Sequence, residues 1–341
     1  MHLTYKTLLP LLLLSHPPPT HSTPVPAPPK PSQDLTPLPL IIWHGLGDTY
    51  TNPSLTTLAH RITTIQEGTY THLIHLGDDA AADRRSTFLG NLTEQIDAVC
   101  AQLAADPILR TAPAVNALGF SQGGQFLRAY IERCNSPPVR TLITFGSQHN
   151  GIAKFQSCGW ADLVCRGAEA LLHAGRWSQV VQGGFVPAQY FRPEAGDHSG
   201  EGGESEMELY LRHSNFLADV NNERSVKNAT YKENLTRLDK FVMFMFEDDG
   251  VVHPKESAWF GEVDAAGAVV PLRERDIYTE DWIGLKELDE KGALVFRSVP
   301  GRHMEIGEEV LEAVVREFLG PVDLEGGSGS MGGLGLVVQG V

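Results

Sequence analysis

Residues 119–123 read Gly119-Phe120-Ser121-Gln122-Gly123, a G-x-S-x-G pattern. A serine at the centre of this pattern acts as a nucleophile when it sits on a sharp strand-to-helix turn. Side chains at the flanking glycines would crowd such a turn. The helix that follows aims its free N–H groups at the site and favours negative charge there. Alone the pattern is weak, since a glycine-rich turn with a solvated serine fits it too. A nucleophilic serine also needs a base, and the base needs an orienting acid.

Both partners are present in the order Ser, acid, His. The apolar run Phe241–Phe246 ends in Glu247-Asp248-Asp249-Gly250, and the run Leu294–Val299 ends in Pro300-Gly301-Arg302-His303. His303 has its own strand end and is preferred over His253, which shares a loop with the aspartates. Asp249, Asp248 and Glu247 all remain candidates for the acid on spacing. An oxyanion hole requires two backbone N–H groups. The residue after the nucleophile, Gln122, supplies one. Leu46, in His44-Gly45-Leu46-Gly47, supplies the other, because the glycines allow close backbone approach. His44 reads as a side chain that braces its loop. His149, after another apolar run, reads as a pocket-lining residue that does not react.

These residues must be held by regular elements. Apolar runs at 39–43, 73–76, 114–120, 139–145, 241–246 and 294–299 read as buried strands. Helical spacing appears at 54–65, 91–104, 122–133 and 305–319. Strands alternating with helices imply an α/β fold with a mostly parallel sheet covered on both faces. The irregular stretch from about 150 to 238 breaks the alternation. It reads as a lid-like insertion over the C-terminal edge of the sheet, where ligands bind in such folds.

The chain has 341 residues, of which 42% are hydrophobic, enough for one large domain. Its formal charge is −15 and no Lys/Arg cluster exceeds a pair, which excludes nucleic acid and anionic membrane as partners. Residues 1–22 read as a signal peptide: Lys6, an apolar run from Leu8 to Leu14, then small residues. A Pro-rich linker spans 23–38, the folded domain 39–320, and a Gly-rich disordered tail 321–341. No transmembrane segment is expected after signal cleavage. The secretory pathway is therefore the expected route, ending in a lysosome, a vacuole or the extracellular space.

A secretory route permits disulfides. Of the three pairings open to Cys100, Cys134, Cys158 and Cys165, the short loop favours Cys158–Cys165, with Cys100–Cys134 as the second bond. No C-x-x-C or His-rich cluster supports a metal site. Sequons at Asn91, Asn228 and Asn234 make these three asparagines candidates for glycosylation.

The longer motifs resemble the palmitoyl-protein thioesterases of the lysosomal type, members of the α/β-hydrolase superfamily. The matching segments include Ile42-Trp-His-Gly-Leu-Gly-Asp48, Leu118-Gly-Phe-Ser-Gln-Gly-Gly-Gln-Phe-Leu-Arg128, Phe216-Leu-Ala-Asp219 and Lys240-Phe-Val-Met243. Trp259-Phe-Gly261, Tyr278-Thr279 and Gly284-Leu-Lys-Glu287 match as well, and the resemblance spans about residues 39 to 320. It implies Ser121 as nucleophile, Asp249 as acid and His303 as base. It also implies both disulfide pairings and hydrolysis of long-chain acyl thioesters on cysteines of S-acylated proteins or peptides. No metal or cofactor is implied. Thr49-Tyr50 stand where the family often has adjacent cysteines, and His213-Ser-Asn215 replaces a family sequon. A lipase or carboxylesterase acting on oxyesters is the alternative with the same three residues.

Overall fold

The computed structural model describes residues 37–154, 175–194 and 204–320. The leader, nearly all of the Pro-rich linker, the Gly-rich tail, Cys158 and Cys165 lie outside the described residues. Six strands form one sheet: β1 (Leu40–Trp43), β2 (Thr71–Leu73), β3 (Val115–Phe120), β4 (Val139–Phe145), β5 (Lys240–Phe246) and, late in the chain, β8 (Leu294–Val299). Their order is β2-β1-β3-β4-β5-β8 and every pairing is parallel. Two residue pairs, β6 (Glu262–Val263) and β7 (Val269–Val270), make a separate antiparallel hairpin.

The central strands are mostly apolar because both faces of the sheet are covered, with polar residues such as Asn116, Thr141 and Thr144 interspersed. Side chains alternate along each strand. Ile41, Trp43, Ala117, Leu142, Phe241 and Met243 pack on one side, with Ile96, Val99 and Leu103 of α3 (Leu92–Ala105) and Phe126 and Tyr130 of α4 (Gln122–Arg133). Leu40, Ile42, Leu118, Ile143, Val242 and Phe244 pack on the other. There they meet Leu55, Leu58 and Ile62 of α1 (Pro53–Ile65), and Val314 and Val315 of the C-terminal helix Glu308–Phe318. The Cys100–Cys134 disulfide joins α3 to the end of α4.

Several elements differ from the sequence expectations. The second strand ends at Leu73 rather than running to Leu76, since only Thr71–Leu73 find register with Leu40–Ile42. A short helix, α2 (Ala80–Ser86), follows it, capped by the Asp79 carboxylate on the Ala81 and Ala82 N–H groups. Between β5 and β8 the chain forms helices Asp276–Thr279 and Leu285–Glu290, too short to show a period in sequence. Within the described part of the insertion, helices Gln179–Gly184, Glu206–His213 and Ala229–Leu235 stand out. A buried ion-pair group anchors it: Arg192 meets Glu223 and Glu262, and Glu262 also meets Arg275.

Candidate active site

From β1 the chain moves outward to β2, then returns to form β3 on the other side of β1. Beyond the C-terminal ends of strands at such a reversal a crevice opens, and ligands bind there. The loop after β1 and the turn after β3 therefore meet at this edge.

Ser121 occupies that turn with φ 51° and ψ −126°, a positive-φ conformation that is costly for a residue with a side chain. Its N–H donates to the Phe145 carbonyl at 2.8 Å, which pins the turn to β4. The flanking glycines are required by contact. A Cβ on Gly123 would strike the carbonyl oxygens of Trp43 and His44, and one on Gly119 would strike the Gly124 backbone. Ser121 holds the N-cap position of α4, yet its side chain caps nothing. A serine there ordinarily accepts from the first-turn N–H groups. Here the hydroxyl faces His303 instead.

His303 Nε2 lies 3.0 Å from Ser121 Oγ, and His303 Nδ1 lies 2.7 Å from Asp249 Oδ2. The side chains of His303 and Asp249 are 11% and 2% exposed. The second Asp249 oxygen accepts from the Val251 and Val252 N–H groups, each at 2.9 Å. Both carboxylate oxygens are thus engaged, which fixes the carboxylate plane against the imidazole. The turn Gly250-Val251-Val252 supplies those donors, and of the three candidate acids it is Asp249 whose carboxylate meets the His303 ring. Asp248 and Glu247 are exposed, with Glu247 accepting from Ser298 Oγ. His253 is exposed as well and joins no hydrogen bond through its ring among the described residues.

Leu46 follows β1 in a loop that packs on the nucleophile, for a Cβ on Gly45 would sit 3.1 Å from Ser121 Cβ. Among the described residues no backbone or side-chain acceptor takes the Leu46 or Gln122 backbone N–H. Two uncommitted donors beside a serine hydroxyl suit an oxygen that gains negative charge.

His44 is buried, with Nε2 2.9 Å from Asp83 Oδ2 and Nδ1 3.1 Å from the Gly45 carbonyl. It braces its loop. Burial alone would raise the Asp83 carboxyl, but hydrogen bonds from His44 and from the Leu76 and Tyr50 N–H groups outweigh this and hold it below its ordinary range. Asp83 was not anticipated from sequence. The signal for its helix was Asp79 followed by three alanines, an N-cap before strong helix formers. His149 is not a pocket residue: its ring stacks on Phe260 and meets Phe241 edge-on, and Nε2 pairs with Thr144 Oγ1. Burial, helped by the Arg128 charge, drives its pKa well below the ordinary value, so it stays neutral.

The three sequon asparagines are placed differently. Asn228 is exposed and caps helix Ala229–Leu235 through its side-chain oxygen. Asn91 caps α3 and also accepts from Asn215 Nδ2. Asn234 is buried and its Nδ2 donates to the Glu132 carbonyl at 3.1 Å. Among the described residues no group of His, Cys, Asp and Glu side chains is arranged to hold a metal, and no helix is long and apolar enough to cross a membrane.

A model of the family described as palmitoyl protein thioesterase matches residues 39–303. The chain is 36% identical over 280 residues to palmitoyl-protein thioesterase 1 of Caenorhabditis elegans, covering 80% of this chain and 89% of that protein. Identity to palmitoyl-protein thioesterase 3 of Dictyostelium discoideum is 32% over 269 residues, 78% of this chain and 84% of the relative. The lysosomal thioesterase PPT2 of Homo sapiens is 30% identical over 290 residues, with 84% of each chain covered.

Proposed function

This chain belongs to the palmitoyl protein thioesterase family, and we propose that it removes long-chain fatty acyl groups from cysteine thioesters of S-acylated proteins or peptides, with Ser121 as nucleophile. The observation that most supports the roles is the continuous hydrogen-bonded line from Ser121 Oγ through both nitrogens of His303 to Asp249.

His303 Nε2 takes the Ser121 proton as Oγ attacks the thioester carbonyl carbon. The carbonyl oxygen becomes an oxyanion, held by the Leu46 and Gln122 N–H groups. The C–S bond then breaks and the thiolate takes a proton from His303, releasing the cysteine. A thiol has a pKa of about 8.5, so sulfur leaves with little help from an acid. Water next attacks the acyl-enzyme, with His303 again as base, and the fatty acid departs. Asp249 keeps Nδ1 protonated so that Nε2 faces the serine.

Relatives include a protein named as a lysosomal thioesterase, and the leader reads as a signal peptide. We therefore assign the chain to the secretory pathway, with delivery to an acidic compartment or the exterior. The reading is tested by comparing palmitoyl-thioester with palmitoyl-oxyester hydrolysis, and by mapping the adduct of a fluorophosphonate. Faster turnover of the thioester and modification at Ser121 are expected. Labelling elsewhere, or a clear preference for the oxyester, would overturn it.

A further inference from the structure

The two proposed oxyanion donors come from different strand ends. Leu46 follows β1 and Gln122 follows β3. Each is useful only at about 2.7–3.1 Å from the developing oxyanion, so their separation must be fixed before the substrate arrives. Strand pairing of β1 with β3 and the close approach of Gly123 to the His44 carbonyl bring the two loops together, and side-chain bonds from a third element hold them there.

Helix α2 touches both. Thr87, which caps its C-terminus, accepts through Oγ1 from the Gly47 N–H at 2.9 Å. The Thr87 carbonyl accepts from Gln122 Nε2 at 3.3 Å. One residue thus holds the loop carrying the first donor and the side chain of the second. The Gln122 amide is held at its other end as well, since the Tyr190 hydroxyl pairs with Oε1 at 3.2 Å. One turn earlier in α2, Asp83 binds His44 at the start of the β1 loop, the Tyr50 N–H beyond that loop at 2.9 Å, and the Leu76 N–H at 2.8 Å. The loop is therefore tied down on both sides of Leu46, at His44 and at Gly47. His44, Asp83, Thr87 and Gln122 are all buried, which shields these bonds from competing water.

We infer that α2 is a clamp for the oxyanion hole, with Thr87 as a positioning residue shared by its two halves and the His44–Asp83 pair as its anchor. The inference rests on the serine thioesterase reading above. Thr87 touches neither substrate nor reacting atoms. It acts through Gly47 and Gln122, and its loss should weaken transition-state binding while leaving ground-state binding alone.

The test measures kcat and KM for a palmitoyl thioester with Thr87→Val, Thr87→Ser and Asp83→Asn. Valine keeps the shape of threonine and removes the hydroxyl that accepts from Gly47 and donates to the Arg84 carbonyl, leaving the Thr87 carbonyl on Gln122 in place, whereas serine keeps the hydroxyl. Thr87→Val should lower kcat by about 10- to 100-fold with KM within about threefold. Thr87→Ser should stay within about threefold of the parent on both constants. Asp83→Asn should behave like Thr87→Val, which provides a second reading if valine disturbs folding. Inhibition by an acyl trifluoromethyl ketone, whose adduct places an oxyanion in the hole, should weaken by the same factor as kcat/KM. A Thr87→Val enzyme within twofold of the parent, an equal loss in Thr87→Ser, or a change confined to KM or Tm overturns the clamp. A parent chain that neither hydrolyses acyl thioesters nor is labelled at Ser121 removes the functional reading instead, and the clamp with it.

Discussion

His303 Nε2 stands 3.0 Å from Ser121 Oγ, although 182 positions separate the two residues in the chain. The parallel sheet makes that contact. Ser121 follows β3, His303 follows β8, and Asp249 follows β5, which lies beside β8. All three strands point the same way, so their C-terminal loops converge on one edge. Ser121 gives up the usual capping bond of its helix to face the imidazole, a loss of about 1 kcal/mol that the surrounding turn must offset.

The two neighbouring aspartates should separate sharply. Asp249→Asn removes the charge that orients Nδ1–H and should reduce kcat by about 10³- to 10⁴-fold. Asp248→Asn alters an exposed side chain and should leave kcat within about twofold. Steady-state assays on a palmitoyl thioester decide this, and comparable losses in both variants would reassign the acid.

Much of the site was legible because its residues mark strand ends. Ser121, Asp249 and His303 each stand just past an apolar run, and the long run in β5 leaves no other reading than a buried strand. The glycines beside Leu46 mark it in the sequence as a candidate oxyanion donor. No local pattern marks Asp83 or Thr87, because the contacts they make to the two loops reach residues 35 to 40 positions away. His149 was misread for a related reason. It ends an apolar run as His303 does, but the chain then turns inward and Phe260 closes over its ring. The distinction depends on what packs above a strand end, and local patterns carry none of that.

The Cys100–Cys134 bond should matter for stability more than for turnover. It closes a loop of 34 positions between α3 and α4, for which loop-closure entropy gives about 3–4 kcal/mol. The Cys100→Ala/Cys134→Ala chain should unfold at clearly lower denaturant, with kcat at low temperature nearly unchanged. An unaltered unfolding midpoint would show that the bond contributes nothing.

Glycosylation should follow exposure rather than the sequon alone. Asn228 presents an open amide at a helix N-cap, whereas Asn234 already uses its nitrogen on the Glu132 carbonyl. After expression through a eukaryotic secretory pathway, peptide mass spectrometry should find glycan at Asn228 and none at Asn234. Full occupancy at Asn234 would mean that modification precedes folding of that helix.

Glu132 should make the protein more stable in mild acid. It is fully buried beside Arg128, 2.8 Å from its guanidinium, and burial pushes its carboxyl up to about 7 against the pull of that charge. The native state therefore binds a proton more tightly than the unfolded chain, whose Glu titrates near its ordinary value. The stability so gained is complete below about pH 4.3 and is lost as pH rises toward 7. His149, buried and neutral, works in the opposite direction, because the unfolded histidine takes up a proton below about pH 6.5. Comparing the parent with Glu132→Gln cancels that contribution, which both proteins share. Between pH 7 and pH 5 the parent should gain about 1–2 kcal/mol on the variant, a few degrees in Tm. Parallel Tm curves across that range would mean that Glu132 stays ionised beside Arg128 throughout.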